Sequence, residues 1–161
     1  MSEGRAEDGL FYASFRLRLL ATILDAAWLL PLGWVLGALG AGLKGGPLTS
    51  GAGPLIAAIT ALSVLLFWVA RGTTPGKAAL NLRIVDARTG GPPPFRPLLL
   101  RYAGWWLPWL LLTQGWVVGA FALALGYLWM LRDPRRQCLH DKLGGTVVVV
   151  VADRTSTARF G

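Results

Sequence analysis

Phe15-Arg16-Leu17-Arg18-Leu19-Leu20-Ala21-Thr22-Ile23-Leu24-Asp25-Ala26-Ala27-Trp28-Leu29-Leu30 opens a stretch that stays apolar as far as Leu43. As a helix it is long enough to cross a hydrocarbon core about 30 Å thick, with length left over for tilt. Arg16 and Arg18 stand at its start, and Asp25 is the one ionisable residue deeper inside. Such a group costs roughly 2.5–3.5 kcal/mol at the centre of a membrane helix, so it faces protein or water and has a partner or a task. A cleaved signal fits poorly. Glu3, Glu7 and Asp8 outweigh Arg5 ahead of the run, and the run exceeds the usual apolar core of about 7–15 residues. It reads as a retained first helix, about 15–43.

Outward from this helix, Lys44 to Gly51 is rich in turn residues and breaks the chain. A second helix follows at about 52–70, with Pro54 in its first turn, where a missing N–H costs little. The loop 71–97 is basic. Within it Thr74-Pro75 predicts a short helical turn, and Asn81 to Asp86 alternates apolar and polar residues as a strand does. The next apolar block, Pro97 to Leu131, has 35 residues. As one straight helix it would measure ~52 Å, too long for one crossing. Thr113-Gln114-Gly115 permits an external turn, which gives helices at about 98–112 and 116–131. Pro108 is expected to kink the first of these; a re-entrant segment there is the alternative to a full crossing. Thr146 to Val151 is a β-branched run that reads as a strand able to pair with Leu82–Asp86.

The fold class is therefore all-α membrane: a four-transmembrane-helix polytopic bundle with a small cytoplasmic β element. Segment 1–14 precedes the membrane domain, 15–151, and segment 152–161 follows it. Composition agrees, with 54% hydrophobic residues, 15% charged residues and a mean hydropathy of +0.52; soluble domains average about 25% charged. Lys and Arg number three through Arg18, one in the first loop, six through Arg101 and six from Arg132 onward. By the positive-inside rule, four crossings put both termini and the loop 71–97 in the cytoplasm. The net charge of +8 is explained by this asymmetry, and no nucleic-acid reader motif accompanies it. The lipid bilayer is the expected partner, with anionic headgroups at the basic cytoplasmic face.

Asp25 has two readings: a proton or cation relay, or a polar clamp hydrogen-bonded to another element. Arg18 lies two turns earlier on nearly the same helix face, ~10 Å away along the axis, too far for rigid direct contact, although the side chain can bend or a water bridge the gap. Gly72-Thr73-Thr74-Pro75-Gly76-Lys77 has a superficial likeness to a phosphate-binding loop, but its glycine spacing is short and Ala78 replaces the magnesium-binding hydroxyl. Gly33-x-x-x-Gly37 and Gly115-x-x-x-Gly119 are small-residue stripes suited to close helix packing, within the chain or between copies. Trp68 and Trp129 suit the inner membrane interface and Trp116 the outer. Trp105, Trp106 and Trp109 line a cavity or contact lipid. Cys138 and His140 are single residues of their types, too few for a zinc site unaided. No cofactor or metal is expected. No nucleophile–base pair is visible, so enzyme chemistry is not expected.

Three blocks resemble the RDD family of small bacterial membrane proteins, named for one arginine and two aspartates. They are Phe15-x-x-Arg18-x-x-Ala21-x-x-Leu24-Asp25; Gly72-Thr73-Thr74-Pro75-Gly76-Lys77 followed by Leu82-Arg83-Ile84-Val85-Asp86; and Arg136-Gln137-x-Leu139-His140-Asp141-x-x-x-Gly145-Thr146-Val147-Val148. The resemblance implies Arg18, Asp25 and Asp141 as the trio, with Lys77 and His140 as secondary candidates, and a bacterial cytoplasmic membrane. One departure is the arginine pair before the first helix, here Arg16-Leu17-Arg18, in which only Arg18 keeps its spacing to Asp25. Transport of an unidentified ligand, with sodium–proton exchange in some members, is what the family implies about activity. The expectation is transport of a small solute or ion, in the specific form cation–proton exchange through Asp25, with a homo-oligomer supplying the path. The alternatives are a non-transporting scaffold in which the trio is structural, and a lipid-binding protein. The tail is expected to fold back so that Asp141 meets Arg18.

Overall fold

In the computed structural model, which describes residues 10–44, 53–113 and 115–151, the first apolar stretch is a single helix, α1 (Phe15–Lys44). The expected break at 45–51, Gln114 of the expected external turn, and segments 1–9 and 152–161 lie outside these residues. After α2 (Gly53–Arg71) come the one-turn helix α3 (Pro75–Ala78) and strand β1 (Leu82–Asp86). Helices α4 (Phe95–Thr113) and α5 (Val117–Leu128) follow, the latter extended by a 3-10 turn, Trp129–Leu131. The short helix α6 (Leu139–Leu143) and strand β2 (Thr146–Val150) complete the order.

Two elements depart from the expectation. Helix α4 begins at Phe95 rather than Leu98, because Pro97 falls in its first turn, where a proline removes no helical hydrogen bond. Helix α6 was not expected. Its five residues are too few to show a helical period; it forms because the Asp141 carboxylate accepts the backbone N–H of Cys138 at 3.0 Å, closing a capping box.

Among the described residues, Phe15–Leu39 is the helix long and apolar enough to cross a membrane; Ala58–Arg71 and Val117–Leu131 are apolar but shorter. Exposure runs opposite to that of a soluble domain. Leu30, Trp34, Val117 and Phe121 are 72%, 82%, 66% and 64% exposed, whereas Arg18, Arg101 and Asp141 are 4%, 1% and 0% exposed. Apolar outer faces suit contact with lipid, and the few charges among the buried apolar residues are turned inward, where they are paired.

Strands β1 and β2 pair antiparallel, from Leu82 opposite Val150 to Asp86 opposite Thr146. One face of the pair, with Leu82, Ile84 and Val148, packs into the helix core beside Ala13, Ala21, Val64, Trp68 and Leu98. The other face carries Val85, Val147 and Val149 and is covered by Tyr12. The chain entering α1 joins β2: Val150 N–H donates to Phe11 O at 2.8 Å and Ala13 N–H to Val148 O at 2.9 Å. The start of α1 is thereby tied to the tail, and this places Arg18. Helix α5 packs against α4 through Gly119, where a Cβ would lie 2.4 Å from Leu112 N and 2.6 Å from Pro108 O. The small-residue stripe of α5 is an internal seam at that point.

Candidate functional site: a buried cluster of charges

Asp141 sits on the first turn of α6 and is fully buried. Arg18 of α1 and Arg101 of α4 each direct an Nη1 at it, Arg18 to Oδ2 and Arg101 to Oδ1. Oδ2 also caps Cys138, and His140 Nε2 lies 3.3 Å from Oδ1. Both oxygens of this buried carboxylate are thus met by donors, as a charge out of reach of water requires. Arg101 Nη1 donates further to Thr146 Oγ1 at 2.9 Å, and Gln137 Nε2 to Thr146 O at 2.9 Å, so β2 is fastened to the same centre.

Asp25 lies two turns further along α1 and is fastened by a different segment. Its Oδ2 accepts the Thr74 hydroxyl at 2.6 Å and the Lys77 ammonium at 3.3 Å. Its Oδ1 accepts Gly76 N–H at 2.8 Å and Trp28 Nε1–H at 3.2 Å. The segment 72–77 thus does cradle an anion, but the anion is a carboxylate of its own chain. Thr74 stands at the N-cap of α3 without capping it through its side chain, because its hydroxyl is spent on Asp25. A Cβ at residue 76 would fall 2.4 Å from Ala21 O and 2.6 Å from Asp25 N, so only glycine brings this backbone against α1.

Beside Asp25 lies a cavity of about 60 Å³, lined among others by Arg18, Asp25, Trp68, Lys77, Arg101 and His140. That is space for several waters, each needing on the order of 10–15 Å³. Trp105 and Tyr127 also line it. Burial, opposed by Asp25 and reinforced by Arg101, pushes the Lys77 ammonium down to about 8. Burial and the charges of Arg101, Arg18 and Lys77 hold His140 well below 6.5, so it is neutral at pH 7. Burial raises the Cys138 thiol, which accepts from Arg18 Nη1 at 3.6 Å.

The lysine shift has a testable sign. The unfolded chain holds the Lys77 proton up to about 10.5 and the folded chain only to about 8. The unfolded state binds more protons between these values, so this group makes stability rise with pH across that window. With Lys44 and Lys142 the only other lysines, ¹³Cε labelling resolves all three. One resonance is expected to titrate near 8 and to disappear in Lys77→Arg; a lysine set titrating wholly near 10.5 contradicts the burial of that ammonium.

Arg18, Asp25, Asp141, Lys77 and His140 all come together here. The expected meeting of Arg18 with Asp141 is present; the partner of Asp25 was not foreseen. Asp25 takes Lys77, not Arg18, as its cation, since Arg18 is drawn to Asp141. Arg101 was missed, because an arginine near the start of a membrane helix reads as a headgroup anchor. Trp68 is not an interface anchor: it is 4% exposed, with the Arg101 guanidinium 4.9 Å over its ring. Trp105 faces the cavity, whereas Trp109 is 48% exposed. Cys138, His140 and Asp141 lie within metal-ligand reach of one another. They do not fit a cation while two guanidiniums hold the carboxylate, because a dication beside Arg18 and Arg101 meets like charge.

The sequence profile of the RDD family matches residues 12–145. An uncharacterized protein of Rickettsia prowazekii, RP437, is 29% identical over 85 residues, which are 53% of this chain and 40% of that one. The chain thus spans less than half the length of this curated relative. No solved structure matches.

Proposed function

The chain belongs to the RDD family, and from that premise we propose that it is a multi-pass membrane protein that carries a small ion or solute across the bilayer. The observation that carries this is the 60 Å³ chamber walled by charged side chains. A polar cavity among helices with apolar outer faces is where a transported species is held. The Asp25–Lys77 pair supplies the proton step, since an ammonium titrating near 8 changes charge close to physiological pH. In the cation–proton form of the reaction, loss of the Lys77 proton leaves the Asp25 carboxylate free for an incoming cation, and charge is conserved.

In this reading α1, α2, α4 and α5 make four crossings. Both termini and the loop 71–97 face the cytoplasm of a bacterial cell, following the basic-residue count. The exposed Arg132 and Arg135 lie toward anionic headgroups. A second copy completes the path, and no bond of the carried species is changed.

Proton flux into liposomes with a trapped pH dye tests this, driven by sodium, potassium or chloride gradients. Wild type is expected to give flux, and folded Asp25→Asn is expected to fall to the level of empty liposomes. No flux in wild type under any gradient contradicts transport. The second reading is a scaffold in which the trio is structural. What favours it is that Asp25 already accepts hydrogen bonds from Trp28, Thr74, Gly76 and Lys77. It predicts no flux together with large stability losses in the same variants.

A further inference from the structure

We propose that the chamber binds a small inorganic anion of the halide or nitrate class between the guanidiniums of Arg18 and Arg101 and the indole N–H of Trp68. The inference rests on reading the chamber as a ligand site, and it adds a second ligand, an anion on the Arg18–Arg101 side, to the cation proposed at Asp25.

Charge is the first argument. Three cations, Arg18, Lys77 and Arg101, meet two carboxylates, Asp25 and Asp141, in ion pairs at this centre. His140 adds no negative charge, and the raised Cys138 stays a thiol. The cluster thus carries a surplus of one positive charge in surroundings that water screens poorly. Isolated buried charge is costly, and one bound monovalent anion neutralises it.

Unused donors are the second argument. Arg18 Nε, Arg18 Nη2, Arg101 Nε and Trp68 Nε1 are buried and, among the described residues, meet no hydrogen-bond partner. All three residues line the cavity and are at most 4% exposed. Orphaned buried N–H groups are rare in native proteins, and each asks for a water, an ion or a ligand. The four are donors only, and donors without acceptors suit an anion rather than a cation. The cavity of about 60 Å³ takes a halide or nitrate.

The test uses the full chain in nanodiscs of zwitterionic lipid, with choline chloride exchanged for choline gluconate at constant ionic strength. Thermal unfolding is expected to rise saturably with chloride, and with nitrate, because a ligand that binds only the folded state stabilises it by mass action. Trp68→Phe removes the indole N–H yet keeps an aromatic ring under Arg101. Loss of one hydrogen bond to an ion is expected to raise the half-saturating chloride concentration about tenfold or more. Arg101→Lys keeps the charge, loses Nε, and is expected to weaken chloride as well. A melting temperature indifferent to the anion, or a chloride effect unchanged in Trp68→Phe, overturns the proposal. The assay needs no flux: anion binding without flux sinks transport and leaves the site standing, whereas flux without anion binding does the reverse.

Discussion

Asp141→Ala is expected to lose about 3–5 kcal/mol of folding stability, the range for removing one partner of a buried ion pair. The carboxylate neutralises Arg18 and Arg101 and caps α6 through Cys138 N–H. Without it two guanidiniums, 4% and 1% exposed, stand uncompensated against each other in a medium that screens them weakly. Asp141→Asn keeps the shape but not the charge, and is expected to cost nearly as much. Replacing the whole centre, as in Arg18→Met with Arg101→Met and Asp141→Leu, is expected to recover much of the loss, because apolar residues of similar volume often match a buried charge cluster in stability. Thermal or denaturant unfolding in detergent micelles measures all three. A single Asp141→Ala within 1 kcal/mol of wild type would mean that the guanidiniums find water.

Gly76→Ala is expected to detach the loop from α1. The added methyl would lie 2.4 Å from Ala21 O, 2.6 Å from Asp25 N and 2.8 Å from Asp25 Oδ1. Two of these atoms are helix backbone and cannot turn aside, so the segment 72–77 must lift. Overpacking of this kind costs typically 1–3 kcal/mol. Lifting also breaks the hydrogen bond from Gly76 N–H and draws Thr74 and Lys77 from the carboxylate, each bond to a charged group worth roughly 1.5–3 kcal/mol. The expected outcome is a protein that inserts but unfolds well below wild type, with the Lys77 resonance returned toward 10.5. Ala79→Gly, at an exposed position one turn on, is expected to cost at most about 1 kcal/mol. Equal effects at 76 and 79 would show that the close approach is not the cause.

The local patterns in the chain were legible where a single element carries them. The length of α1 and the β-branched run of β2 follow from apolar content and period, and the pairing of Leu82–Asp86 with the tail follows from their alternation. The motif 72–77 was visible as a cluster of donors, but not what it would hold, because Asp25 is about fifty residues away in sequence. Arg101 was hidden for the same reason: its partners Asp141 and Thr146 lie 40 and 45 residues downstream, and no local period marks such a pairing. Helix α6 was too short to leave a pattern and depends on one capping carboxylate. The strand-like entry before α1 gives no signal in two or three residues, yet it fixes where Arg18 points. Local hydrophobic pattern specifies the apolar helices well; the partner of each buried charge is decided by tertiary approach.

A double-mutant cycle on Arg18 and Asp141 tests the central claim, that charges from distant segments hold the fold around one buried centre. Arg18→Met, Asp141→Leu and the double variant would be unfolded in the same micelles. Direct contact predicts that the two single losses together exceed the double loss by about 2 kcal/mol or more, within the range for contacting residues. Losses that add to within about 0.5 kcal/mol, as independent sites do, would contradict it.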